Sequence, residues 1–176
     1  MIGIRKEPLT LRRWDRTEGD QAPDTSFLHA LTTLSSHLST LSLMPPIAKS
    51  RVYRRMVSHL TNHISQRAVY SGWSRFSQVG GQDFASEVKD WINTSKELDL
   101  PGTAGTEAPW RTLREAATIL SLPNDAEEDE PTFGQAMAVA WSDSEESLKR
   151  WRERTGMSMG REEMKALLRR RAECWR

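Results

Sequence analysis

Arg75-Phe76-Ser77-Gln78-Val79-Gly80-Gly81-Gln82-Asp83-Phe84 is the stretch on which the reading of this chain turns, and Val88, Trp91 and Ile92 follow it at helical spacing. An aromatic-serine step and a glycine pair therefore lead into an amphipathic helix that ends near Leu98. Glycine has no Cβ, so the pair marks a place where the backbone turns or a neighbouring helix comes close. A phosphate-cradling loop would need a Gly-x-x-x-x-Gly-Lys-Ser/Thr run or a strand leading in, and both are missing. Phe76 and Phe84 are expected to point inward and hold two helices together, so Phe84→Ala should cost about 3–5 kcal/mol.

On the N-terminal side, Tyr53, Met56, Val57, Leu60, Ile64 and Ala68 mark the apolar face of a helix that Ser71-Gly72 interrupts. Pro45-Pro46 begins that helix, because proline is tolerated in a first turn where its missing N–H costs nothing, and it ends the helix before. The earlier helix carries one leucine stripe, Leu28, Leu31, Leu34, Leu38 and Leu41, with mostly Ser and Thr between. Those are poor helix formers, so packing must hold it, and the short proline link predicts an antiparallel hairpin. Residues 1–25, with Arg5, Lys6, Arg12, Arg13 and Arg16, read as a flexible basic arm.

On the C-terminal side, a Pro101-Gly102 loop precedes a helix for which Thr106 is the expected N-cap and Pro109 a first-turn residue. Trp110, Leu113, Ala117 and Leu120 line its inward face. Residues 123–131 form an acidic linker, read as a solvated loop. Three shorter helices close the chain: one capped by Thr132 with Phe133, Met137 and Trp141; one started by a Ser142/Glu145 capping box with Leu148 and Trp151 and stopped by Gly156; and one with Met164, Leu167, Leu168, Ala172 and Trp175. No segment alternates with period two, so the expected fold is an all-α helical bundle, with a core over 26–122 and C-terminal helices of 132–176 packing on it.

Composition narrows the function. The chain has 176 residues, with 25 basic and 24 acidic side chains, so no global field drives it onto nucleic acid or anionic lipid. A single cysteine, Cys174, excludes an intrachain disulfide and a multi-thiolate zinc site and fits a reducing cytosol. No segment approaches the roughly 20 apolar residues that span a bilayer, so any membrane role is expected to be peripheral.

His59 and His63 share a helix face, yet Leu60 stands where a hydrolytic zinc helix needs glutamate, and no third ligand offers itself. Neither a Gly-x-Ser-x-Gly elbow nor a reactive-cysteine signature is present, and Cys174 has no base beside it. Glu145-Glu146 and Glu162-Glu163 fall in first turns, where they complement the helix dipole. The chain thus reads as non-enzymatic and without a cofactor. Arg169, Arg170 and Arg171, with Arg176 and Trp175, form the candidate partner-binding cluster. The alternative function is a nucleic-acid module stacking bases on Trp175, although cations also suit a helix C-terminus and Trp175 can continue the apolar stripe.

Together these residues resemble the C-terminal end of the Rad-fifty-interactor/TIP-twenty family, subunits of the Dsl-type tether that captures Golgi-derived vesicles at the endoplasmic reticulum. The resemblance rests on Arg75, Phe76, Ser77, Gly80, Gly81, Gln82 and Phe84, then on Leu113-Arg114-Glu115-Ala116 to Leu120-Ser121-Leu122 and Arg161-Glu162-Glu163 to Arg171. It covers roughly residues 50–176 and departs from the family pattern at Asp83, between Gln82 and Phe84, and at Glu87 in place of Asp. Family members are several times longer, so the chain looks like a detached C-terminal bundle, a truncated paralogue or an incomplete gene product. The resemblance implies a non-enzymatic role in Golgi-to-endoplasmic-reticulum retrograde transport, peripheral on that membrane, with tether subunits and SNARE proteins as partners.

Overall fold

Seven α-helices build the part of the chain that the computed structural model describes, residues 25–70, 75–98, 100, 105–125 and 130–175. They are α1 (Thr25–Ser42), α2 (Pro46–Ile64), α3 (Gln78–Lys96), α4 (Arg111–Ser121), α5 (Phe133–Trp141), α6 (Glu145–Thr155) and α7 (Arg161–Leu168). Among the described residues there is no strand, and the fold is an all-α bundle. The basic arm of residues 1–24 and Arg176 lie outside the described residues.

The centre of the bundle is the pair α3 and α4, the most extensive helix contact among the described residues. They run antiparallel, since Gly81 at the start of α3 meets Leu120 at the end of α4, while Ser95 near the end of α3 bonds Trp110 just before α4. α1 rests on both α3 and α2, and α5 and α4 both pack on α7. One apolar cluster runs through all of it, from Leu34, Leu38 and Leu41 through Phe84, Leu113 and Leu120 to Met164, Leu167 and Leu168.

α1 accommodates its Ser and Thr by turning their hydroxyls back onto the helix. Thr32, Thr33, Ser39 and Thr40 each donate to the carbonyl four residues earlier. Leu34, Leu38 and Leu41 of the leucine stripe are buried, but Leu28 is exposed. α2 buries Tyr53 and Val57, and its end widens into a π-helical turn over Ser65–Val69, with the Tyr70 N–H donating to the Ser65 carbonyl at 2.8 Å.

Three expected helix starts are corrected. α4 begins at Arg111, after a 3₁₀ turn over Ala108–Trp110 that contains Pro109, and Thr106 does not cap it. Thr106 is buried instead, and its carbonyl accepts a 2.6 Å hydrogen bond from the Tyr53 hydroxyl. The capping box lies at Thr132 and Gln135 of α5, while α6 is capped by Ser144, which accepts from the Ser147 N–H. Ser142 closes α5, because its N–H still reaches the Ala138 carbonyl. Gly80 and Gly81 fall inside the first turns of α3 rather than before it, with Ser77 as N-cap. Gly156 does stop α6, at φ 69°.

Candidate protein-interaction site

Ser77 starts the geometry of the site. Its Oγ accepts the Gly80 N–H at 3.0 Å, satisfying one of the donors that a helix N-terminus leaves unpaired. Gly81 then faces α4 so closely that an added Cβ would overlap the Leu120 carbonyl. Phe76 and Phe84 are both buried, with ring centroids 5.6 Å apart and planes tilted by 57°. Gln82, one turn into α3, is exposed.

The C-terminal segment joins this group. Phe76 donates its N–H to the Arg170 carbonyl and accepts the Ala172 N–H, both at 2.8 Å, a single parallel bridge between distant parts of the chain. Glu173 reinforces it by accepting the Gln78 N–H at 3.2 Å. The motif residues and the terminal arginines, read separately in the sequence, thus occupy one place.

Within that place Arg171 is not a surface cation. It is fully buried, and its Nη1 donates to the carbonyls of Leu120 and Leu122 at 2.9 and 2.7 Å. Its Nη2 donates to Asn124 Oδ1, its Nε and Nη2 hold the Glu173 carboxylate, and its guanidinium lies 4.8 Å from the Phe133 ring centre. Arg171 therefore caps the open carbonyls at the end of α4, and a candidate surface cluster that includes it is corrected accordingly. Burial works against the Glu173 carboxylate, yet the Arg171 hydrogen bonds hold it below the ordinary glutamate range.

Trp175 does not continue the apolar stripe of α7. It sits in a terminal 3₁₀ turn, 61% exposed, donating Nε1 to the Arg169 carbonyl, with the Arg75 guanidinium 5.4 Å over its ring. Arg169 stacks at 5.8 Å on exposed Trp141, and Arg170 donates to the Tyr70 carbonyl at 2.7 Å. The external face of the site is thus two arginine-tryptophan stacks rather than a free basic cluster.

A shallow groove of about 280 Å³ runs between α3 and α4. Val88, Ile92 and Ala117 give it an apolar floor, and Lys89, Glu107 and Arg114 a charged rim. Lys96 and Arg114 both pair with Glu107 at that rim, at 3.0 and 3.3 Å.

Two polar assemblies escape sequence reading. Glu115 is buried on α4, where Oε1 accepts from Arg111, from the Ser158 N–H and from the Ser158 hydroxyl, and Oε2 from the Met159 N–H. Burial raises its pKa, but these bonds outweigh that and hold it below the ordinary value. In sequence it looks like a surface i,i+4 partner of Arg111. Trp110 donates Nε1 to both the Tyr53 hydroxyl and Ser95 Oγ at 3.1 Å, while its ring stacks on Trp91. Burial pushes the Tyr53 phenol up and keeps it a donor. The spacing of apolar residues signals that Trp110 is inside and is silent about its polar partners.

His59 and His63 lie on the exposed side of α2, and no group of three or more His, Cys, Asp or Glu that could hold a metal ion occurs among the described residues. Cys174 is half-buried. No helix among the described residues is long and apolar enough to cross a membrane. No family model, no curated protein and no solved structure matches the chain.

Proposed function

We propose that this chain is a non-enzymatic helical bundle of an endoplasmic-reticulum vesicle tether, acting in Golgi-to-endoplasmic-reticulum retrograde transport through contacts with other tether subunits and with SNARE proteins. The observation that carries the reading is the interlocking of the segments that bear the family resemblance. Phe76 bridges to the terminal segment, Gly81 seats α3 against the end of α4, and Arg171 closes that end. Residues of one resemblance, scattered through about a hundred positions, serve one structural unit.

A tether end needs a rigid body with a surface for a partner helix. The α3–α4 groove, with its apolar floor and charged rim, suits the apolar stripe of an amphipathic helix. A nucleic-acid module would have to work without Arg171, whose guanidinium is used inside the fold.

Calorimetric titration with the cytosolic helical region of endoplasmic-reticulum SNAREs, at two salt concentrations and with an unrelated SNARE as control, tests the reading. Saturable, SNARE-selective binding supports it. A folded chain that binds none of them, or binds all alike, counts against it.

A further inference from the structure

The turn between α1 and α2 carries the most exposed apolar side chains of the described residues. Leu43 is 88% and Ile47 78% exposed, with Met44 beside them at 40%. They crown a turn tied by the Leu43 N–H to Thr40 and the Met44 N–H to Leu41, and stiffened by Pro45 and Pro46. Apolar side chains held this far into water at a turn can enter a soft apolar medium.

The charge around the tip identifies that medium. Ile47, Arg51 and Arg54 recur at i, i+4 and i+7, so the apolar tip and two cations share one face of α2, with Arg55 at its edge. Arg51, Arg54 and Arg55 are all exposed, and none forms an ion pair with another of the described residues. The asymmetry extends beyond the helix: residues 25–82 contain six Lys or Arg and no Asp or Glu, whereas the remainder of the chain holds all 24 acids against 19 bases. Neither α1 nor α2 carries an acid, so the apolar turn of this nearly neutral protein is flanked along α2 by exposed cations alone.

We propose that the α1–α2 tip docks directly on an anionic lipid bilayer, Leu43, Met44 and Ile47 entering the headgroup boundary while Arg51, Arg54 and Arg55 meet lipid phosphates and carboxylates. This goes beyond a tether whose membrane association runs through its partners, and it does not depend on SNARE binding, which is measured without lipid.

Co-sedimentation of the full chain with vesicles of phosphatidylcholine alone, or with about one third phosphatidylserine, tests it. The chain should pellet with the anionic vesicles only, and less so at high salt. Each cation near an anionic surface contributes about a five-fold gain in partitioning, so Arg51→Gln, Arg54→Gln and Arg55→Gln together should weaken binding on the order of 100-fold. Leu43→Ser with Ile47→Ser should weaken it by at least about tenfold at unchanged helicity and melting temperature, since both side chains are already in water. Absence of binding to anionic vesicles, or binding indifferent to both variants, overturns the proposal. So does a tip that ignores vesicles while the serine variants abolish self-association or binding to an acidic helix, which would assign the surface to a protein.

Discussion

Arg171 shows how far a single side chain can depart from its sequence context. Within a run of three arginines it looks interchangeable with its neighbours, yet it alone is withdrawn from water and holds the Leu120 and Leu122 carbonyls, Asn124 and Glu173. Arg171→Met keeps the bulk and removes the donors, leaving the Leu120 and Leu122 carbonyls without this partner and the Glu173 carboxylate without its cation. Denaturant unfolding should show a loss of about 3–5 kcal/mol, while Arg169→Met, on an exposed stack, should stay within about 0.5–1 kcal/mol. Glu115 is the acidic counterpart. Its folded pKa lies below the ordinary 4.5, so its stabilising contribution is fully present above that value and is lost as pH falls through the folded pKa. Stability should therefore fall with acid below about pH 4.5, and Glu115→Gln should flatten that limb while costing about 1–3 kcal/mol at neutral pH, because its amide cannot accept from all the donors around it. An unaltered acid limb in the variant would assign the pH dependence to other carboxylates, with Glu173 the next to test.

Between elements, Gly81 sets the distance from α3 to α4. Its Cα lies against the Leu120 carbonyl, and backbone cannot rotate away as a side chain can. Gly81→Ala should force the two helices apart and cost upwards of about 3 kcal/mol despite alanine's better helix propensity. In a domain of this size that is a fall in melting temperature of at least about 6 °C. Gly156→Ala tests a different mechanism: nothing crowds its Cβ position, so its cost is that of a left-handed φ of 69°, about 1 kcal/mol. Equal effects at the two sites would mean that the close approach of α3 to α4 is not what Gly81 serves.

For the molecule as a whole, residues 169–175 act as a clasp. They bridge to Phe76, close the end of α4 and hold the N–H of Gln78 at the start of α3. Deleting 169–176 should leave far-ultraviolet circular dichroism largely intact but erase the near-ultraviolet tryptophan signal and the cooperative melting transition, as when helices persist without fixed packing. A deletion that still melts cooperatively near the wild-type temperature would reduce the clasp to an appendage.

Helices, their inward faces and the breaks between them were legible in the sequence, because apolar spacing at three and four residues and punctuation by Pro45, Pro46 and Gly156 are local properties that burial merely exploits. Phe76, Phe84, Trp110 and Leu120 were readable as core for the same reason. Start positions were less so: Ser142 and Ser144 are both plausible caps, as are Thr106 and its neighbours, and only the surrounding packing chooses between them. Tertiary structure alone decided the fates of charge and polarity. Whether Arg171 or Arg169 goes inside, whether Glu115 pairs at the surface or anchors the Ser158–Met159 backbone, and which face of the glycine pair meets α4 depend on groups tens of residues away in sequence. A polar side chain's place is set by the partners that compensate its desolvation, and those exist only once the chain has folded.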